Sequence, residues 1–374
     1  MSAADGGSIS AGGQSSGSGG DELGGQNMGG AAAGGAPGAG GQGATAKGDL
    51  VAQGVRWVGR VSAQESTRFA WSGAGFVARF SGTGLSATLT NAEGYLFQIV
   101  IDGAARDAFL AKRGEAAYPL ATGLTRGEHV VELYRQTEGR YGDSELEKIS
   151  VVDGELLDPP PGPDAVLEVI GDSITCGYGN LGANASCSFS FATESHWDSY
   201  GAVAGRALGV DVHTIAISGH GLTRNNDGTT VDLLPEVYER TLTRDPSLRW
   251  RYSVSPKVVV LNLGTNDFAK GNPGVNFEDQ YLNFLTRLRE IHPKAFLLAT
   301  LGPMMNGSNL NAARAYVQNA VSAFEAAGNA GKVGFFEYSG QVTGELGCNS
   351  HPNASKHKQM ADALVAEINE LSLY

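Results

Sequence analysis

The sequence predicts a multidomain protein. An N-terminal all-β sandwich of jelly-roll type precedes a C-terminal α/β/α domain with a parallel five-stranded sheet. Three observations predict it. Residues 50–157 alternate apolar and polar positions with period 2 and are broken by turn signals. Residues 164–374 alternate apolar strand runs with helical stretches, the pattern of a parallel sheet covered on both faces. Between them, Asp158-Pro159-Pro160-Pro161-Gly162-Pro163 reads as a stiff linker.

The leader comes first. Residues 1–48 are rich in Gly, Ala and Ser, and the first aromatic residue is Trp57. Such a segment lacks the apolar surface that offsets ordering entropy, so it is expected to be a disordered Gly-rich tether. A flexible chain of that length spans roughly 40 Å. It has no apolar signal-peptide core, and no run anywhere reaches the length of a membrane span. A Gly-rich leader of this kind fits a spacer between a surface lipid and a folded domain. The expected location is extracytoplasmic, secreted or tethered to the cell surface as a lipoprotein.

In the β region, Leu85, Ala87 and Leu89 alternate with Ser86, Thr88 and Thr90; Phe97, Ile99 and Ile101 form a second such set. Turns are expected at Ser81-Gly82-Thr83-Gly84, Asp102-Gly103 and Arg126-Gly127. Trp57 and Trp71 are expected in this domain's core. In the second domain, strands are expected at 166–170, 210–217, 257–263, 295–301 and 333–338. Helices are expected near 196–208, 231–243, 277–291, 311–327 and 354–372.

The net charge is −12 and the isoelectric point about 5.1. Phosphate binding needs clustered Lys and Arg, so a nucleic-acid partner is excluded as an expectation. A neutral sugar polymer is compatible with this charge.

The chemistry concentrates at strand ends. After the apolar run Val166-Leu167-Glu168-Val169-Ile170 comes Gly171-Asp172-Ser173-Ile174-Thr175-Cys176-Gly177-Tyr178-Gly179. A serine there is exposed at the carboxyl edge of the sheet, where open α/β folds bind ligands. Ser173 is the candidate nucleophile. A hydroxyl is weak unless a base adjoins it, and His351, just before the last helix, is the candidate. The N–H groups of Ser173 and Gly219, with the Asn266 side chain, are the candidate oxyanion donors. Asp267 is expected to be a structural hydrogen-bonding group behind Asn266. His357 is expected on the surface, Trp197 is the aromatic most suited to touching sugar, and no His/Cys/Asp spacing matches a zinc motif.

These residues resemble the SGNH, or GDSL-type, hydrolase superfamily, whose four blocks contribute Ser, Gly, Asn and His. The resemblance is closer still to carbohydrate esterase family 2. It is carried by the stretch 171–179 quoted above, Phe189 with Thr193-Glu194, Ser218-Gly219 with Gly221-Leu222, Arg224-Asn225, and Gly347-Cys348 with His351-Pro352-Asn353. Arg79-Phe80-Ser81-Gly82-Thr83 and Gly127-Glu128-His129 in the β region look similar too. The resemblance implies deacetylation of plant polysaccharides such as xylan and glucomannan through an acyl-serine, with no metal or cofactor. The rival readings are an SGNH lipase or thioesterase, and a carbohydrate-binding protein whose catalysis has decayed. The expected oligomeric state is monomer.

One departure stands out. The family usually places Asp three residues before the histidine; here that position is Cys348, followed by Asn349 and Ser350. Either Asn349 or a backbone carbonyl is left to orient His351. The cysteine count is odd, so a Cys187–Cys348 disulfide and free thiols both stay open.

Overall fold

Strand pairing divides the fold into two antiparallel sheets followed by one parallel sheet. The structure, a computed structural model, describes residues 43–44, 50–62 and 67–374. The tether expected over residues 1–48 lies outside the described residues, except that the Gly43–Ala44 backbone pairs with Leu50 and Val51.

In the first part, Gly127–Arg135 pairs with both Gly75–Gly82 and Leu96–Ile101 within one sheet. Gly84–Asn91 lies between Gly114–Ala121 and Ser144–Val152 in the other. The alternation works as expected: Leu85, Ala87 and Leu89 are buried and meet Phe76, Ala78 and Phe80 in the core. Trp57 packs there against Phe69, ring centroids 5.4 Å apart.

In the second part the strands are β1 (Val166–Gly171), β2 (Asp211–Ala216), β3 (Val258–Asn262), β4 (Phe296–Leu301) and β5 (Val333–Glu337), all parallel, in the order β2-β1-β3-β4-β5. Both faces are buried, as the near-continuous apolar runs require. Leu167, Val169, Val258 and Val260 face one layer, with α2 (Tyr200–Leu208) and α6 (Ala354–Glu370). Ile170, Val259 and Leu261 face the other, with α4 (Val275–Ile291) and α5 (Gly307–Phe324). The chain leaves β1 toward β2 on one side and later lays β3 on the other. The crevice above β1 is therefore the topological switch point of the sheet.

The described residues fall in one compact unit, and the hydrophobic cluster around Trp57 and Phe76 continues to Val237 and Val259. The helix expected over 231–243 is shorter for this reason. Only α3 (Leu234–Tyr238) is helical. Beyond it the Arg240 carbonyl accepts from Arg60 at 3.0 Å and the Thr241 carbonyl from Trp71 Nε1 at 2.8 Å. Carbonyls committed to the β part cannot close helical turns. Trp71 is buried, as expected, but at this junction.

Candidate active site

Ser173 opens α1 (Ser173–Cys176), a single turn directly after β1. The strand-to-helix turn needs glycine at 171, because a Cβ there would lie 2.0 Å from Thr175 Oγ1. Asp172 caps the turn, its Oδ1 accepting the Ile174 N–H at 3.0 Å. As the first residue of a helix, Ser173 has no intrahelical acceptor for its own N–H.

His351 reaches Ser173 from a loop between β5 and α6. Its Nε2 stands 2.8 Å from Ser173 Oγ. Its Nδ1 stands 3.3 Å from the Asn349 backbone carbonyl. Burial pushes the imidazole down to about 4, partly opposed by the Asn349 and Cys348 carbonyls. The ring is therefore neutral at pH 7, with Nδ1–H on the carbonyl side and a lone pair facing the hydroxyl. The Asn349 side chain does not take part. Its Oδ1 accepts the Phe189 N–H at 3.2 Å instead.

The histidine loop is joined to the serine loop. Cys348 N donates to Gly179 O at 2.9 Å, and Asn349 N to Cys187 O at 3.1 Å. Cys187 and Cys348 form a disulfide with Cα atoms 4.6 Å apart. Cys176 is a free, buried thiol.

The oxyanion candidates follow β2 and β3. Gly219 has φ +83°, where a Cβ would be strained and would crowd Asn226. No acceptor for its N–H is found among the described residues. Asn266 Nδ2 donates to His220 O at 2.7 Å and to Asp172 Oδ2 at 3.2 Å. Both hydrogens of that amide are thus engaged in this state of the site. Burial, aided by the charges of Asp267 and Glu138 and opposed by the Ile174 N–H, pushes the Asp172 carboxyl up to about 7. Asp267 fits its expected structural part: its carboxylate accepts from Leu222 N at 3.0 Å and Thr223 N at 2.6 Å.

Two expectations are corrected. His357 is fully buried, its Nδ1 accepting the Tyr200 N–H at 3.2 Å. Trp197 lines a cleft with Tyr134, Val210 and Val212 at the amino end of β2, the far end of the sheet from Ser173. The aromatic surface beside the serine is instead Tyr178, whose ring lies 4.4 Å from the His351 ring and 4.3 Å from Phe189. Tyr141 of the β part stacks on Phe189 at 5.7 Å. Tyr178 and Phe189 stood within the quoted motifs, but no signal in the sequence paired them with Tyr141.

Two family models match this chain. Carbohydrate esterase 2 N-terminal covers residues 57–161, and the GDSL-like lipase/acylhydrolase family covers residues 169–359. A family two carbohydrate esterase from Clostridium thermocellum, solved with cellohexaose, is 33% identical with TM-score 0.82; the match covers 86% of this chain and all of that one. This chain belongs to carbohydrate esterase family 2. The cellulase/esterase CelE of Acetivibrio thermocellus is 34% identical over 84% of this chain, which spans 39% of that protein's length. An acetylxylan esterase/glucomannan deacetylase of Cellvibrio japonicus is 25% identical over 83% of this chain and 86% of its own length. Within family 2, the all-β part and the GDSL part therefore stand in the order the sequence predicted. Among the described residues no helix is long and apolar enough to cross a membrane.

Proposed function

We propose that the chain removes acetyl groups from acetylated plant polysaccharides such as xylan and glucomannan. The observation that carries this reading is the 2.8 Å contact between Ser173 Oγ and His351 Nε2 at the carboxyl edge of the sheet in a family 2 esterase. Ser173 is the nucleophile. His351 removes its proton as Oγ attacks the ester carbonyl, while the Asn349 carbonyl holds the Nδ1 tautomer. The oxyanion is received by the Ser173 and Gly219 N–H groups and by Asn266, which exchanges its longer bond to Asp172 for the substrate oxygen. His351 then protonates the departing sugar hydroxyl, and water attacks the acyl-serine by the same base.

The net charge of −12 suits a neutral polymer better than a polyanion. A disulfide between Cys187 and Cys348 supports an extracytoplasmic place, secreted or held at the surface through the tether of residues 1–48. The working division is tether 1–48, β-sandwich (jelly-roll) 50–157 and catalytic domain 164–374, acting as a monomer.

Acetate release from acetylated xylan and acetylated glucomannan tests the reading, with chromogenic esters of increasing acyl length beside them. Release from either polymer, falling with acyl length and abolished in Ser173→Ala, is expected. Faster hydrolysis of long acyl chains would instead make the protein a lipase of the same fold.

A further inference from the structure

Behind the oxyanion loop lies a sealed polar cluster drawn from three segments. Glu138 comes from the β part, Glu194 from the loop before α2, and Cys176 from the end of α1; all three are fully buried. Glu138 Oε2 accepts the Ser218 N–H at 2.7 Å and lies 3.8 Å from Cys176 Sγ. Glu194 Oε2 accepts the Glu138 N–H at 3.1 Å. Arg140, two residues after Glu138, donates to the Ser218 carbonyl at 3.2 Å. Ser218 is thus gripped at both its N–H and its carbonyl by the β part, and Gly219 follows it directly.

The remaining oxygen of each carboxyl, Oε1, is buried without a partner. One ligand atom from each of Glu138, Glu194 and Cys176 lies within 4.8 Å of the others. Arg135 is near, but its donors go to backbone carbonyls and Ser144. Two ionised carboxylates this close and this deeply buried would repel each other. One proton held by the pair removes that repulsion.

We propose that Glu138 and Glu194 share a single proton, and that Glu138, fixed in this way, is a positioning residue that sets the Gly219 N–H toward the oxyanion. The inference rests on Gly219 being an oxyanion donor. It makes the β part a contributor to the chemical step, because the group that holds the donor comes from that part.

The test measures kcat and KM on 4-nitrophenyl acetate per mole of folded full-length protein, with metal content determined by mass spectrometry. Glu138→Ala strips the Ser218 N–H of its acceptor; kcat is expected to fall ~10²-fold with KM within about 3-fold, because an oxyanion donor acts in the transition state. Glu138→Gln restores an acceptor for Ser218 and a donor for Glu194, so it is expected to recover kcat to within about 5-fold of wild type. Should Glu138→Ala fail to fold, Glu138→Asp, which keeps the acid but withdraws it by one methylene, must show at least a ~10-fold fall in kcat. Wild-type kcat in the Ala variant, or in the Asp variant where Ala does not fold, overturns the inference. So does a Gln variant no better than Ala, or a stoichiometric metal ion in the purified protein. Ser173→Ala in the same series separates the two claims. If it is inactive while the Glu138 variants are unaffected, only the positioning role fails; if it is active, the reading of the whole site fails.

Discussion

The Asn349 backbone carbonyl stands 3.3 Å from Nδ1 of His351, in the place where an SGNH triad would put a carboxylate. A carbonyl orients the imidazole without adding charge. The Asn349 and Cys348 carbonyls offset the desolvation of the half-buried ring only in part, and the imidazole sits well below its ordinary 6.5.

The pH dependence follows from this. The acid limb of kcat/KM is expected near pH 4, not near 6.5, because the base is lost only when His351 takes up a proton. The stability linked to the neutral ring is present above 6.5 and is lost as the pH falls through about 4. Asp172, held near 7, adds its own titration to a rate profile. NMR titration of the His351 ring therefore decides the matter, and a midpoint at 6 or above would contradict the site's desolvation.

The histidines separate by effect. His351→Ala is expected to lower kcat at least ~10³-fold with little change in melting temperature. His357→Ala removes a buried ring that accepts the Tyr200 N–H, so it is expected to cost on the order of 2 kcal/mol of stability while folded protein keeps its turnover. Thermal melts beside initial rates check both. Equal losses of kcat would mean that His357 also serves the reaction.

Much of this site was legible because each piece is local: Ser173 after β1, Gly219 after β2 and Asn266 after β3 are short motifs at strand ends. The five strands were legible for the same reason, as runs that are apolar on both faces. Glu138 was not legible, because its bond to Ser218 joins positions 80 residues apart and nothing in Arg135-Gln136-Thr137-Glu138 marks a buried acid. His357 was misread through its residue type. Its spacing to Met360, Ala361 and Leu364 places it on the buried stripe of α6, beside residues that are all core. The overlong helix at 231–243 failed because the β part takes its carbonyls, a tertiary demand that local pattern does not encode.

The buried acid pair has a stability signature. Burial pushes the Glu138 and Glu194 carboxyls above the usual range, with mutual charge adding to it for Glu194. The charges of Arg135 and Arg140 oppose the shift only in part, burial pushes the Cys176 thiol up, and the titration of Asp172 near 7 is common to wild type and to any variant of the pair. A raised carboxyl stabilises the fold fully below its unfolded value of about 4.3, and this stabilisation is lost as the pH rises through the folded value. Glu194→Gln removes that dependence. Its melting temperature relative to wild type is expected to rise steadily from mildly acid to mildly alkaline buffer; a constant difference would show that neither carboxyl is shifted.

Reduction of the Cys187–Cys348 disulfide is expected to weaken both fold and site, since the bond closes a loop of sequence separation 161 next to His351. Chain entropy puts the effect on the order of 4–5 kcal/mol. Cys187→Ser should melt several degrees lower and turn over more slowly at similar KM. Peptide mapping without reductant checks the bond itself, and two free thiols would remove this prediction.

The most informative substitutions are at Asn349, where φ is +54°, followed by Ser350 at +62°. Two successive side chains in the left-handed region are what turn the Asn349 carbonyl toward Nδ1. Asn tolerates that region better than most residues, and glycine adopts it freely. Asn349→Gly keeps the carbonyl where it is and gives up only the side-chain bond to the Phe189 N–H; kcat is expected within about 5-fold of wild type. Asn349→Ala adds about 1 kcal/mol of backbone strain and loses the same bond, so kcat should fall further, by less than ~10²-fold. Asn349→Asp tests the idea from the other side. Its carboxylate would occupy the position of Oδ1, which faces Phe189 and Tyr178 and not the imidazole. The acid limb near pH 4 should therefore stay within about one unit of wild type. If Asn349→Gly is as damaging as His351→Ala, the side chain and not the carbonyl is the third member of the site, and the dyad reading is wrong.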